Sequence, residues 1–471
     1  MRHIKLIILM VLSLSMVFGY SKNSEDEFQY YFSENGTYVA FKHSKKDNLD
    51  LLLSLNDDNT YTIESIDFVG EVLYLPDCAV DGRYITGIGI NAFREMNDIK
   101  SIRLPEGVTS LGWRIFSFCP NLEEVILGRE LREIKSSAFW GVDLERIKIS
   151  DENTFFKLSG NSLIERDTGH LVLGTNQSVI SSDVTEIGDC AFAGRSFETF
   201  FIPSNVQKIG TAAFSECEKL HTVTISEGVY EIQDDAFLNC YNLENISIPK
   251  SMNKLGASVF EGTGLKSIPA LGGVTELRSD TFSRCNELKK AVIPAHITAI
   301  GNGTFAECES LEEITLPDKL EVFDEKGAFY CCWNLRSISI SSENPRYMTI
   351  EGKLVEKDTM KLLVGTTDGE IPNGVKIIAE GAFACRGRFT SITIPESVTE
   401  ISDLAFADAK QLSFLYIPES VTVVGKNIIG GNASNIQIYC ESEKPSQFWD
   451  KEWIDADDAI ILWGVRKSVE S

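Results

Sequence analysis

Apolar and polar residues alternate in short segments that recur along most of the chain. A representative segment, L-E-N-I-S-I, begins at Leu243, and similar segments begin at Leu311 and Ser391. Strict alternation predicts a short β-strand that buries one face and exposes the other. A proline closes many of these segments, as expected at a strand end, because proline has no N–H to donate. These prolines are Pro105, Pro203, Pro249, Pro294, Pro317, Pro395 and Pro418.

An Ala-Phe pair or a close variant follows the alternating segments at a nearly constant step. The anchoring positions are Phe93, Phe116, Phe139, Phe192, Phe214, Phe237, Phe260, Phe282, Phe305, Phe329, Phe383, Phe406 and Ile429. Ten of the twelve steps are 22 to 24 residues long, which identifies a short repeat. One such unit cannot bury its own apolar face, but units stacked at the strand spacing of about 4.8 Å bury it for one another. The pattern therefore predicts a β-rich solenoid with the phenylalanines in its interior.

Two steps are longer, at 53 and 54 residues, and they contain related extra sequence. The segments from Phe155 to Thr175 and from Arg346 to Thr366 share a glycine, an apolar pair, an Asp-Thr turn and a second apolar pair. We expect each segment to be a coil that carries an extra β-hairpin, with turns at residues 167–169 and 358–360.

The combination resembles the BspA-like leucine-rich-repeat family. The match rests on the repeated I-P-x-x-V-x-x-I-G-x-x-A-F-x-x-C-x-x-L, from about Tyr61 to Trp463, and on the two insertions. The resemblance implies a right-handed leucine-rich-repeat array of about 13 coils of ~23 residues, with two β-hairpin insertions and terminal caps. It also implies an exported or surface protein. Some members take part in adhesion to host matrix proteins, but the resemblance fixes no particular ligand.

The first 19 residues have the layout of a secretory signal peptide. Arg2 and Lys5 form a basic start, residues 6–17 an apolar core, and residues 17–19 a small-residue cleavage site. Tyr20 stands where a bacterial lipoprotein carries its lipidated cysteine, so we expect no lipid anchor. No later segment reaches the ~18 apolar residues of a transmembrane span. We therefore expect a secreted or cell-surface protein.

The repeat boundaries divide the chain into four parts. We predict a signal peptide at 1–19, an N-terminal cap at 20–60, the solenoid at 61–438 with insertions near 151–180 and 342–371, and a C-terminal cap at 439–471. The tryptophans of the last part are expected to cover the open edge of the final coil, which would otherwise pair with other strands.

Six of the eleven cysteines lie three residues after an anchoring phenylalanine: Cys119, Cys217, Cys240, Cys285, Cys308 and Cys332. Equivalent side chains of stacked coils point the same way about 4.8 Å apart, whereas a disulfide needs β-carbons about 3.8 Å apart on converging bonds. We expect these six to be buried thiols. A disulfide framework is the alternative for a secreted chain. The remaining cysteines are left unassigned: Cys78, Cys190, Cys331, Cys385 and Cys440.

Charge and motif content narrow the range of functions. The formal net charge is −25 at pH 7, which argues against nucleic-acid binding, because phosphate contacts need clustered Lys and Arg. The five histidines lack metal-ligand spacing. Glycine motifs at 87–92 and 301–306 match a dinucleotide fingerprint formally, but both are bends of the repeat. We expect no catalytic residue, no cofactor and no metal site, and therefore no enzyme.

The residues on either side of the buried middle position of each strand should point outward, on the concave side of the array. Four basic and only two acidic residues occupy these positions in a chain that is strongly acidic overall. We expect this face to bind a partner, with exposed aromatics as anchors. The predicted contact residues are Arg103, Ile126, Arg146, Lys148, Phe201, Lys290, Val292, Phe414 and Tyr416.

The expected partner is an extracellular protein of the host matrix or a cell surface, bound by a monomer. A glycan-binding surface protein and a structural, envelope-associated protein are the alternatives. The outward face also has a purely structural explanation. Serine and threonine form strands well, and aromatic side chains cover neighbouring strands.

Overall fold

The computed structural model describes residues 26–32, 38–44, 49–79, 82–90, 92–94, 96–117, 119–325, 327–431, 436–454 and 459–466. The predicted signal peptide at 1–19 and Tyr20 lie outside the described residues. The chain divides into two compact units, Met1–Lys219 and Leu220–Ser471. Each unit is built from stacked β-strand turns, and no described residue is helical. The predicted solenoid is confirmed, although it has about 17 turns where the repeat count predicted about 13.

The first unit begins with an antiparallel sheet and continues as short parallel ladders. Its strands are β1 (Asp26–Phe32), β2 (Tyr38–Ser44), β3 (Leu49–Leu55), β4 (Tyr61–Phe68), β5 (Val72–Tyr74), β6 (Ile85–Ile88), β7 (Ser101–Arg103), β8 (Ser110–Leu111), β9 (Glu124–Leu127), β10 (Glu133–Ile134), β11 (Arg146–Ile149), β12 (Phe156–Ser159), β13 (Ser162–Glu165), β14 (His170–Leu173), β15 (Glu186–Ile187), β16 (Thr199–Ile202) and β17 (Lys208–Ile209). Strands β1 to β4 are antiparallel neighbours, and β6 pairs with β4 in parallel. The alternating segments form the parallel ladder β5-β7-β9-β11. Strand β5 leads to the first anchoring phenylalanine, Phe93, as β7 leads to Phe116.

The second unit consists of two kinds of parallel ladder. Its strands are β18 (Thr222–Ile225), β19 (Glu231–Ile232), β20 (Asn245–Ser247), β21 (Lys254–Leu255), β22 (Glu276–Leu277), β23 (Lys290–Val292), β24 (Ala299–Ile300), β25 (Glu313–Thr315), β26 (Val322–Phe323), β27 (Ser337–Ser339), β28 (Tyr347–Ile350), β29 (Lys353–Glu356), β30 (Lys361–Val364), β31 (Ile377–Ile378), β32 (Ser391–Thr393), β33 (Glu400–Ile401), β34 (Phe414–Ile417), β35 (Val423–Val424), β36 (Gln437–Cys440), β37 (Phe448–Trp449) and β38 (Ile460–Trp463). Alternating segments form β23-β25-β27 and β32-β34-β36-β38. Two-residue strands from the next part of each repeat form β22-β24-β26 and β31-β33-β35-β37.

The alternation within each segment sets the direction of its side chains. In the first unit Ile102 lies opposite Val125, and Val125 lies opposite Ile147. All three are buried, whereas the residues on either side of them face outward. Burying an aliphatic side chain of this size contributes about 1.5–3 kcal/mol. The ladders therefore have one interior face and one outward face.

The anchoring phenylalanines stack inside each unit, as predicted. In the second unit five rings follow one another with centroids 5.4 to 6.0 Å apart: Phe237, Phe260, Phe282, Phe305 and Phe329. In the first unit Phe116 lies 4.9 Å from Phe93 and 4.6 Å from Phe139. These rings are almost completely buried. The regular spacing along the chain thus becomes regular packing in the interior.

In several repeats a glycine at the bend allows close approach of the preceding coil. A Cβ on Gly256 would overlap the backbone of residues 233–234 in the preceding coil, so only glycine lets the two coils pack at this distance. The left-handed backbone positions lie elsewhere, two residues before and two residues after the anchoring ring. Asp235 and Asn239 occupy them around Phe237, with φ of 59° and 58°. Both residue types tolerate this conformation better than most.

Both insertions contain the predicted hairpins. Strands β13 and β14 are antiparallel and turn within 166–169, and β29 and β30 turn within 357–360. A preceding antiparallel strand, β12 or β28, makes each insertion three-stranded instead of two-stranded. The last strand of each insertion then pairs in parallel with β15 or β31, which returns the chain to the solenoid. The exact domain boundaries predicted from the sequence stay predictions.

A buried asparagine begins each insertion. Asn153 Nδ2 donates to the carbonyl of Leu131 at 2.9 Å, while its Oδ1 accepts the N–H of Phe156 at 2.7 Å. Asn344 repeats this arrangement with Leu320 O at 3.0 Å and the N–H of Tyr347 at 2.7 Å. One amide side chain therefore links the preceding coil to the first strand of the insertion, and it satisfies backbone groups that would otherwise be buried without partners.

A glycine ends each insertion, where the chain passes the next anchoring ring. A Cβ on Gly365 would overlap the ring of Phe383, and one on Gly174 would overlap the ring of Phe192. We expect Gly365→Ala to lower the free energy of unfolding by about 1–3 kcal/mol, because the added methyl forces the ring or the strand to move. Urea denaturation followed by circular dichroism measures the loss. The matched control is Gly387→Ala, whose Cβ would meet no atom within 4 Å. Equal effects of the two substitutions would contradict this account.

The six cysteines that follow the anchoring phenylalanines are buried thiols outside any disulfide, as predicted. Five of these thiols donate to the carbonyl of the preceding anchoring phenylalanine: Cys119, Cys217, Cys285, Cys308 and Cys332. Cys308 Sγ lies 3.1 Å from Phe282 O, and Cys332 Sγ lies 3.0 Å from Phe305 O. Burial raises the pKa of Cys332 to about 11, so the thiol keeps the proton that this contact needs.

The structure pairs two of the unassigned cysteines. Cys331 and Cys385 form a disulfide that joins the coil before the second insertion to the coil after it, 54 residues later. The corresponding positions of the first insertion are Gly141 and Gly194, each two residues after its anchoring ring. A Cβ on Gly194 would lie only 3.3 Å from Gly141 Cα. Both insertions thus bring the same two positions together, and at the second insertion a disulfide joins them.

The C-terminal tryptophans pack against one another, and their role as a cap stays a prediction. Trp449 lies 4.9 Å from Trp453 and 5.7 Å from Trp463 between ring centroids. Trp449 Nε1 donates to Val421 O at 3.4 Å, which ties the cluster to the preceding coil. Strand β38 nevertheless extends the ladder beyond β36, so its outer edge is the edge of that sheet.

Candidate binding surfaces

In the first unit, strand pairing brings several predicted contact residues together on the outward face. Arg103, Ile126 and Lys148 lie opposite one another on β7, β9 and β11. Arg146 lies opposite Glu124. Ile126 is half-buried between the two basic neighbours, and Lys148 is exposed.

Carboxylates accompany the basic side chains of this ladder. Glu124 Oε1 lies 2.9 Å from Lys148 Nζ and 3.3 Å from Arg146 Nε. The hydrogen bond from Lys148 is the main reason that the pKa of Glu124 is lowered. Because the Arg146 and Lys148 side chains are 63% and 59% exposed, such ion pairs contribute only about 0–1 kcal/mol each. Glu124 thus offsets one of these two positive charges.

The other two predicted basic residues are also paired. Arg103 Nη2 lies 3.1 Å from Asp77 Oδ2 and 3.2 Å from Glu106 Oε1. In the second unit Lys290 Nζ lies 2.9 Å from Glu313 Oε2. Counting residue types along the strands therefore overstated the positive charge around Arg103, because it omitted Asp77 and Glu106 in the adjoining turns.

The aromatic positions of β34 differ from the prediction. Tyr416, expected to be an exposed anchor, is only 5% exposed, so that expectation is wrong. It lies on an interior strand, opposite Thr393 on β32 and Tyr439 on β36. Neighbours on both sides therefore enclose it. Phe414 is half-buried, because its ring lies 4.8 Å from that of Tyr439.

Two other predicted residues are well exposed. Phe201 in the first unit is 59% exposed, and Val292 in the second unit is 67% exposed. Each is an apolar side chain on an outward strand position, and Val292 lies opposite Thr315.

The end of the second unit carries an apolar patch that the sequence reasoning missed. We call it the C-terminal patch and define it as Phe414, Tyr439, Ile460 and Leu462. Strand pairing puts Tyr439 opposite Leu462 and continues the outward face from β34 through β36 to β38. Ile460 is 48% and Leu462 40% exposed. The signal was present in the alternation of Ile460 to Trp463, but the segment had been assigned to a cap.

A different surface lies on the side of the Ala-Phe turns, where each insertion separates two coils. The position held by cysteine in other coils is occupied there by Arg195 or Arg386, three residues after the anchoring ring. Both arginines are buried, at 1% and 2% exposure. Burial lowers the pKa of Arg195 to about 10 and also lowers that of Arg386, because the protein interior disfavours the cation.

These arginines bind backbone carbonyls on both sides of the insertion. Arg386 Nε donates to Gly365 O at 3.3 Å, and its Nη1 donates to Phe329 O at 3.0 Å and Cys332 O at 2.9 Å. Arg195 Nε donates to Gly174 O at 3.0 Å, and its Nη1 donates to Val142 O. In coils with cysteine at this position, the thiol bonds to a carbonyl of the preceding coil. Here the longer arginine side chain bonds instead to carbonyls on both sides of the insertion.

A side-chain hydrogen bond also joins the coil before each insertion to a coil after it. In the first unit Trp140 Nε1 donates to Glu216 Oε2 at 2.8 Å. In the second unit the equivalent Tyr330 hydroxyl donates to Asp408 Oδ2 at 3.2 Å. Burial, with the neighbouring Asp408 carboxylate, raises the pKa of Tyr330 and keeps its proton available for this bond.

The second insertion is also bordered by a cleft of about 490 Å³, which lies wholly within the second unit. The Ala-Phe turns at Phe329 and Phe383 form its walls, and Arg386, Tyr330 and Asp408 line it. Within the described ranges, no three His, Cys, Asp or Glu side chains gather in a metal-binding arrangement. No helix among the described residues is long and apolar enough to cross a membrane.

Comparison with known proteins gives a family match. The profile of the BspA type leucine rich repeat region matches in six copies, over residues 74–161, 174–289, 275–350 and 362–443, which is more than half of the chain. No curated protein matches.

Several solved structures are similar in fold. A leucine-rich repeat protein from Bacteroides ovatus is 21% identical with a TM-score of 0.42, covering 87% of this chain and 96% of that one. The pneumococcal vaccine antigen PcpA is 15% identical with a TM-score of 0.41, covering 88% and 92%. A leucine rich cell surface protein from Faecalibacterium prausnitzii is 20% identical with a TM-score of 0.30, covering 89% and 94%.

Proposed function

Because this chain belongs to the BspA type leucine rich repeat family, we propose that it is a non-catalytic scaffold that binds an extracellular protein through the outward face of its strand ladders. The signal-like pattern of residues 1–19 supports export, and hence a partner outside the cell or on its surface. Repeat scaffolds use extended surfaces of this kind for recognition.

The observation that carries the proposal is the C-terminal patch. Phe414, Tyr439, Ile460 and Leu462 lie on three neighbouring strands, on a face that elsewhere presents mostly serine, threonine and ion pairs. A contiguous apolar patch bordered by polar residues is typical of interaction sites. Aromatic and large aliphatic side chains contribute most of the binding free energy in protein interfaces.

Phe201 supplies a second, separate anchor in the first unit. Its exposed ring projects from the same kind of outward position as the patch residues. A single exposed aromatic is common on protein surfaces, so it supports the proposal less strongly than the patch does. Tyr416 is buried, so we do not include it among the proposed anchors.

We expect Ile460→Ser combined with Leu462→Ser to weaken binding to a protein partner by at least ~10-fold, the loss typical of removing one or two interface anchors. Purified extracellular matrix proteins, immobilised and tested by surface plasmon resonance, supply the candidate partners. The stability of the variant should change little, because both side chains are exposed on an edge strand.

Val179→Ser is the matched control, since Val179 is 72% exposed and lies in the first insertion instead of on the patch. It should bind like the unmodified protein. A parallel glycan array decides between partner classes. Binding to glycans without binding to any matrix protein would overturn the protein-partner proposal, and equal binding by both variants would remove the patch from it.

A further inference from the structure

The cleft beside the second insertion has the dimensions of a small-molecule site. Its volume of about 490 Å³ falls in the range of ordinary ligand pockets. It lies on the side of the Ala-Phe turns and uses none of the residues of the strand face. Its apolar walls include Ala306, Leu363, Val364 and Ala407.

A buried cation with an unused donor lines this cleft. Arg386 is 2% exposed, and its Nε and Nη1 atoms donate to backbone carbonyls. Its Nη2 makes no hydrogen bond, and the guanidinium makes no ion pair, with any residue of the part of the chain that is described. A buried guanidinium without a counter-charge is costly, and a carboxylate can both supply that charge and accept from the N–H groups of Nη2.

Carboxyl groups line other parts of the same cleft. Asp280, Glu325, Glu380 and Asp408 all contribute to the lining. Lys361 Nζ lies 2.7 Å from Glu325 Oε1 and balances one of them. Among the described lining residues, Asp280 and Asp408 together carry more charge than the cation of Arg386, so this part of the cleft favours a positively charged group in addition to an acceptor for Arg386.

The first insertion contains the equivalent arginine, Arg195, at a site that is closed to solvent. Nη2 of Arg195 also lacks a partner, but it is sealed from solvent. Arg386 instead lines an open cleft. In both insertions the arginine therefore links the flanking coils. Arg386 also borders a cleft that a ligand can enter, whereas Nη2 of Arg195 is closed to solvent.

We propose that this cleft binds a small zwitterion, an amino acid or short peptide, whose carboxylate accepts from Arg386 Nη2 while its ammonium group lies among the cleft carboxylates. The apolar walls receive the side chains between them. A simple anion would be repelled by the acids, and a simple cation would leave the guanidinium unpaired. The site is separate from the strand face, so either can fail without the other.

Isothermal titration calorimetry of the full chain with leucyl-leucine tests the proposal. The expected dissociation constant is below ~1 mM, as is usual for a specific small ligand. N-acetyl-leucyl-leucine lacks the ammonium group, and leucyl-leucinamide lacks the carboxylate. Each is expected to bind at least ~10-fold more weakly. Absence of leucyl-leucine binding, or equal binding of either blocked peptide, would overturn the zwitterion site.

Two variants connect the result to the cleft. Arg386→Met should weaken binding of leucyl-leucine at least ~10-fold, whereas Arg195→Met, the equivalent change in the closed framework, should leave the affinity unchanged. Ala306→Phe fills the cleft from a half-buried position and should abolish binding, even if Arg386→Met proves too unstable to measure. Unchanged binding by Ala306→Phe would show that the peptide binds elsewhere and would refute the assignment.

Discussion

Replacing Phe305 with alanine is expected to lower the free energy of unfolding by about 3–5 kcal/mol, the usual cost of removing a fully buried aromatic ring. Phe305 is 0% exposed and stacks between Phe282 at 5.7 Å and Phe329 at 5.4 Å. Its loss leaves a cavity between two coils and also removes both ring contacts. Because each coil contacts only its neighbours, the damage should be greatest around residue 305.

Urea denaturation measures the total loss, and hydrogen exchange locates it. The matched control is Phe448→Ala, because Phe448 is 63% exposed on β37 and should contribute less than ~1 kcal/mol. A similar loss for the two variants would mean that the stacked interior does not hold the second unit together.

Removing the disulfide with Cys331→Ser and Cys385→Ser is expected to cost about 4 kcal/mol, the loop-entropy estimate for a closure of this length. The two residues are 54 positions apart and enclose the whole second insertion. Without the bond, the unfolded chain between residues 331 and 385 has more conformations available to it, which favours unfolding. The change should be visible as a lower urea midpoint.

A reducing agent provides the control for this prediction. Unmodified protein should lose a comparable amount of stability when a reductant is added, whereas the double variant should not respond to it. If the unmodified protein is equally stable with and without reductant, the disulfide contributes nothing measurable to folding.

The solenoid could be predicted from the sequence because the Ala-Phe pairs recur at a regular spacing and their phenylalanine rings are buried. A ring such as Phe305 recurs at the same place in each coil, so a regular spacing is enough to infer a stack. The paired insertions were also predictable, since their apolar pairs and turns agree with each other. The third strand of each insertion, β12 or β28, was not predicted.

The binding surface was less predictable, because alternation gives only the direction of a side chain. Tyr416 points outward, yet neighbours on β32 and β36 enclose it. The acids that neutralise Arg103 come from adjoining turns and are invisible to a count along the strand. Arg386 had a signal that was overlooked, namely an arginine in the slot where other coils carry cysteine. Its partners depend on the path of the insertion, which spacing does not reveal.

The buried thiols have a consequence for how the protein denatures. Nine cysteines lie outside the disulfide, and burial raises the pKa of Cys119 and Cys440 to about 12. Only a thiolate attacks a sulfur–sulfur bond, so these buried thiols are protected against exchange at neutral pH while the chain is folded. Unfolding returns each thiol to a pKa of about 8.5, beside the bond in the same molecule. Scrambled cross-links then form, so heating without a thiol-blocking reagent should leave material that does not refold.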